Sequence, residues 1–152
     1  MKNKIRLLGI IAIIAIIGFS FLTCEQAYEE PTSGTLTITG LNDYIGENIM
    51  AWGYANATDT IPILVAAARL NSDSEYAPAK VSSGGVAGLK VWKATSNEGP
   101  YLAFDGSTQA VQFRVICEKE IKEGVHGVIG TVNVNFQGGG TGEGNFVAGT
   151  IY

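Results

Sequence analysis

Five groups of side chains in this sequence could do chemistry: two cysteines, one histidine, a pair of glutamates, an alternating acidic stretch, and two tryptophans. Cys117 could be a redox or nucleophilic thiol, but it shares the phase of Val111, Phe113 and Val115, where a cysteine behaves as a small buried hydrophobe. His126 is the single histidine, so no two-histidine metal site can form, and no G-x-S-x-G elbow accompanies it. It reads as a surface or loop residue. Glu118 and Glu120 stand two apart at a strand end, which sets them about 6.7 Å apart on one face. That approaches the ~6.5–9.5 Å carboxylate separation of inverting glycosidases. Their context, EKEIKEG, interleaves Lys119 and Lys122 and reads as a solvated turn.

Asn71, Asp73 and Glu75 alternate like the start of a calcium loop. An EF-hand loop needs glycine sixth and glutamate twelfth, and Tyr76 and Ser82 occupy those places. The glycine stretch Gly138–Gly144 lacks the Lys-Ser/Thr ending of a phosphate loop. No catalytic set, cofactor site or metal site is expected. Trp92 and Trp52 are the candidate ligand-binding side chains, as a platform on which sugar rings could stack, although aromatics on alternating strands are more often core. Trp92 falls in phase with Lys90, opposite Leu89 and Val91. If that pair is buried, Trp92 is exposed.

The elements that position these residues follow a leader. Met1–Arg6 carries three cations and no acid, and Leu7–Leu22 is an uncharged run of 16 residues. At 1.5 Å per residue the run spans about 24 Å, short of a ~30 Å hydrocarbon core, as in a secretory signal. An uncleaved anchor is the alternative, and in both readings the domain is delivered outside. A prepilin signal at Gly18-Phe19-Ser20 fails, because Thr23 stands where a glutamate is required. Three of the ten basic residues lie in the leader, so the remainder carries seven against fourteen acids, a net −7. Such a chain repels phosphate backbones, and no nucleic-acid partner is expected.

The junction Phe21-Leu22-Thr23-Cys24 closes the apolar run with a cysteine. It resembles the lipobox of bacterial lipoproteins, in the relaxed form of spirochaete type. Phe21 and Thr23 depart from the usual leucine and small residue. The resemblance implies cleavage before Cys24 and a thioether-linked diacylglycerol on it, usually with a third, amide-linked chain such as palmitate. Two or three acyl chains hold a protein stably on a bilayer, where one gives marginal binding. The implied address is the bacterial cell envelope: the periplasmic face, the outer membrane or the cell surface. The opening strand GTLTITGL after a short tether is similar to that of small uncharacterised lipoproteins of this type.

Residues 1–23 are thus the signal peptide, 24–33 (with EQAYEEPTS after the cysteine) the lipidated terminus and tether, and 34–152 one domain. Leu36 and Ile38 alternate with threonines in a half-buried strand. Residues 48–54 set Met50, Trp52 and Tyr54 on one face and Ile49, Ala51 and Gly53 on the other, as in a central strand. Residues 63–70 mix strand and helix signals and are read as a strand, while 71–78 is read as a loop. Strands are further expected over 89–94, 101–104, 110–118, 125–136 and 145–152, with 137–145 a long hairpin loop. About eight strands with glycine-rich turns indicate an all-β fold, a single β-sandwich of Ig-like or jelly-roll-like type or a small barrel. The functional expectation is a non-enzymatic, lipid-anchored protein with a binding or structural role. Its expected partners are the membrane through Cys24 and a protein or glycan ligand; a glycoside hydrolase ranks last.

Overall fold

The computed structural model of the protein describes residues 33–71, 75–94, 102–104, 109–118, 127–137 and 140–149. The leader, Cys24, the tether up to residue 32, Asp73, Glu120 and His126 lie outside the described residues.

Twelve strands follow in chain order: β1 (Gly34–Thr39), β2 (Asn48–Tyr54), β3 (Leu64–Ala67), β4 (Arg69–Leu70), β5 (Tyr76–Ala77), β6 (Ala79–Lys80), β7 (Ala87–Lys93), β8 (Leu102–Ala103), β9 (Ala110–Cys117), β10 (Val128–Asn135), β11 (Thr141–Asn145) and β12 (Val147–Ala148). One 3-10 turn, Asn42–Tyr44, separates β1 from β2, and the described residues contain no α-helix. The all-β expectation holds. Eight strands pair in the order β11-β1-β7-β3-β2-β9-β10-β12, with β6 added beside β2 and β8 beside β7. Every pairing is antiparallel except β1 with β11. The mixed sheet curls until it nearly closes into a barrel-like shape.

Period two decides what faces inward. Leu36 and Ile38 of β1, Ile49 and Ala51 of β2, Leu89 and Val91 of β7, and Val111, Phe113, Val115 and Cys117 of β9 all join one buried core. Phe104, Phe136 and Phe113 fill its middle, with ring centroids 4.9 Å (Phe104–Phe136) and 6.0 Å (Phe113–Phe136) apart. β2 is central, paired to β3 on one side and β9 on the other. Residues 64–67 form a strand with all four side chains buried, which settles the mixed helix and strand signals of the alanine run.

Two segments expected as loops are strands. Tyr76–Ala77 pairs with Arg69–Leu70 as a small hairpin, and the Asn71 N–H donates to the Glu75 carbonyl at 2.8 Å. Thr141–Asn145, in the glycine-rich stretch, pairs in parallel with β1 from Thr35–Thr141 to Thr39–Asn145. The glycines there are a packing requirement. A Cβ on Gly142 would lie 2.5 Å from Val134 Cγ1 and 2.8 Å from Phe136 Cε1, and one on Gly144 would meet Val132. Bare backbone at these inward positions lets β11 lie against β10 and brings the sheet round.

Candidate functional site

The sheet register sets residues in rows across the outer wall. One row runs Trp92 (β7), Val65 (β3), Trp52 (β2), Arg114 (β9), Thr131 (β10). The next runs Tyr54 (β2), Gln112 (β9), Asn133 (β10). All of these side chains point away from the main core.

On the β2–β3–β7 side the outer wall is covered. Val65, Ala67, Leu70 and Trp92 form a second buried cluster, flanked by Met50, Trp52 and Tyr76. The β4–β5 hairpin supplies Leu70 and Tyr76 as its lid. The Tyr76 ring lies 5.7 Å from Trp92 and 6.4 Å from Trp52, edge-on to the latter at 78°. Trp92 is 0% exposed. The expectation that it stands in solvent with Lys90 is corrected: Leu89 and Val91 are buried inside, and Trp92 is buried on the opposite face under the hairpin. Trp52 is half-buried in the same cluster. Trp92 therefore offers no open ring face for stacking.

On the β9–β10 side the outer wall is open. The Arg114 guanidinium carbon lies 3.8 Å from the Tyr54 ring centroid, within cation–π range. Its Nη2 donates to the carbonyls of Asp59 at 2.7 Å and Ala57 at 3.0 Å. Arg114 thus fastens the loop after β2 to the sheet. Within that loop the Asp59 carboxylate accepts from the Asn56 backbone N–H at 3.0 Å and from Asn56 Nδ2 at 3.2 Å, closing a turn. Between the loop and the outer faces of β9 and β10 lies an open depression of about 480 Å³. Asn56 and Ala57 form one side of it; Gln112, Asn133 and Asn135 form the other. Gln112 Nε2 donates to Asn133 Oδ1 at 3.2 Å. None of the lining side chains carries a charge.

The remaining candidates are scattered. Cys117 is a free thiol, fully buried, as its phase predicts. Glu118 is exposed, and its Oε2 accepts from Asn48 Nδ2 at 2.8 Å, at the end of the sheet away from the depression. Asn71 and Glu75 face each other across a hairpin through their backbones, and Glu75 is exposed. Among the described residues no group of three or more His, Cys, Asp or Glu is placed to hold a metal ion. No helix among them is long and apolar enough to cross a membrane.

Sequence reasoning passed over Gln112, Asn133 and Asn135. Their signal is the Val-Asn-Val-Asn alternation at 132–135, which sets two carboxamides on the outward phase of β10.

No family model, no curated protein and no solved structure matches this chain.

Proposed function

We propose that this protein is an exported, lipid-anchored component of a bacterial cell envelope whose β domain acts by binding, without catalysis. The observation that carries the reading is the leader: three cations, 16 uncharged residues, and Cys24 where the apolar run ends. Nine residues, EQAYEEPTS, then separate Cys24 from the first strand at Gly34. Extended at ~3.3 Å per residue, such a tether reaches about 30 Å and sets the domain clear of lipid headgroups. An open polar depression on the domain's outer wall suits a binding role.

The test is made on the protein isolated from its native host. Intact-mass measurement of the mature chain is expected to show an amino terminus at residue 24 carrying two or three acyl chains. Cys24→Ser is expected to move the protein out of the detergent phase in phase partitioning. An unacylated terminus elsewhere, or unchanged partitioning of the variant, refutes the reading.

A further inference from the structure

The depression between the Asn56–Ala57 loop and the outer faces of Gln112, Asn133 and Asn135 has a definite chemistry. We infer that it is a binding site for an uncharged oligosaccharide, read by carboxamides.

Four observations carry this. The lining offers carboxamides from Asn56, Gln112, Asn133 and Asn135 and contains no ionisable group, so it matches a ligand that is polar and neutral. Each carboxamide presents both donors and an acceptor, the complement of a sugar hydroxyl, which is also both. Beside them, exposed Ala55 and Ala57 give low apolar surface on which the C–H face of a pyranose can rest. The walls are also built before any ligand arrives. Arg114 fastens the loop through two carbonyls and the Tyr54 ring, Asp59 holds the Asn56 turn, and the Gln112–Asn133 hydrogen bond sets the orientation of the floor. A preformed wall spares a ligand the ordering cost that weakens binding to mobile loops.

The competing occupant is an extended peptide. It would bind best by adding a strand to an open sheet edge, and the floor offers none. β9 is hydrogen-bonded to β2 and to β10, and on the far edge of β10 Gly130 and Thr131 pair with β12 while Gly144 of β11 sits against the Asn133 carbonyl.

This site is separate from the lipid-anchor reading. The carbohydrate assignment stands or falls on binding, the anchor on the mass of the amino terminus.

The experiment uses the full chain in detergent, titrated calorimetrically with maltohexaose, cellohexaose and chitohexaose, and with an uncharged ten-residue Gly-Ser-Thr peptide. At least one hexasaccharide is expected to bind. The double variant Asn133→Ala/Asn135→Ala, altered at two exposed outer positions, is expected to weaken that binding about tenfold, the loss of one or two net hydrogen bonds. Ala57→Phe, which sets a ring at the rim, is expected to weaken it as well. Ser83→Ala, in an exposed loop at the opposite end of the sheet, is expected to leave it unchanged. Urea melts of each variant show that the fold is retained. If none of the three sugars binds, if the double variant keeps full affinity while folded, or if the peptide binds more tightly than the sugars, the assignment is overturned.

Discussion

Arg114 on β9 and Tyr54 on β2 meet diagonally across two paired strands, guanidinium over ring at 3.8 Å, while the same guanidinium donates to the carbonyls of Ala57 and Asp59. One side chain therefore joins the sheet's outer wall to a loop that is otherwise exposed at Ala55, Asn56, Ala57 and Thr58. The stack uses the ring quadrupole, and both hydrogen bonds leave one nitrogen, Nη2.

Arg114→Ala is expected to lower unfolding stability by about 2–3 kcal/mol in urea denaturation, through loss of two charge-assisted hydrogen bonds and the ring contact. Arg114→Lys is expected to recover less than half of that, because the shorter side chain stops short of the Nη2 position and an ammonium cannot stack flat on the Tyr54 ring. A loss under about 0.5 kcal/mol for the alanine variant, the range of an ordinary surface substitution, shows that the loop is not fastened in this way.

Gly142 and Gly88 respond oppositely to the same added methyl. At Gly142 a Cβ meets Val134 and Phe136, so Gly142→Ala is expected to destabilise by about 1–3 kcal/mol. At Gly88 nothing lies within 4 Å and the position is exposed, so Gly88→Ala is expected to be neutral or to stabilise by up to about 1 kcal/mol. Equal effects at the two positions contradict the packing of β11 on β10.

The two tryptophans are separable by fluorescence. In Trp52→Phe the remaining emission comes from fully buried Trp92 and is expected to be blue-shifted and insensitive to iodide. Trp92→Ala is expected to cost about 3–5 kcal/mol, as for a large aromatic removed from a core. Red-shifted, quenchable emission from Trp92 contradicts its burial under the β4–β5 hairpin.

Cys117 is expected to resist thiol reagents in the native state and to react at once in denaturant, because its side chain is fully buried among Val115 and its core neighbours. Labelling in the folded protein as fast as in the unfolded chain refutes that placement.

Much of the inner wall was readable in the residues. Leu36 and Ile38 in β1, and the Val111–Cys117 phase in β9, announce their buried faces because alternation is a local property of a pleated strand. Two features were not local. The run Thr141–Asn145 is poor in strand-forming side chains, and its role depends on Val132, Val134 and Phe136 of β10 occupying the volume that its side chains would need. The usable signal was the spacing of Gly140, Gly142 and Gly144, which repeats every second residue as a strand does and as a loop need not. Likewise Trp92 has the phase of an exposed residue, and only the hairpin carrying Leu70 and Tyr76, packed on it from 22 and 16 residues earlier in the chain, converts that face into an interior. The carboxamide site follows the same logic: Gln112 and Asn133 become neighbours through the β9–β10 register, which neither segment reveals alone.

The parallel seam between β1 and β11 joins positions 106 residues apart, as at Thr35 and Thr141. The first strand of the domain therefore waits for one of the last before that side of it is satisfied. Contacts of such long range slow folding, since most of the chain must be ordered before they form. Until then, β1 presents an unpaired row of amides and carbonyls flanked by Leu36 and Ile38, a template for pairing with other chains. A protein cut short before residue 141 keeps that template permanently, and it is in such truncated chains, more than in the finished molecule, that aggregation will begin.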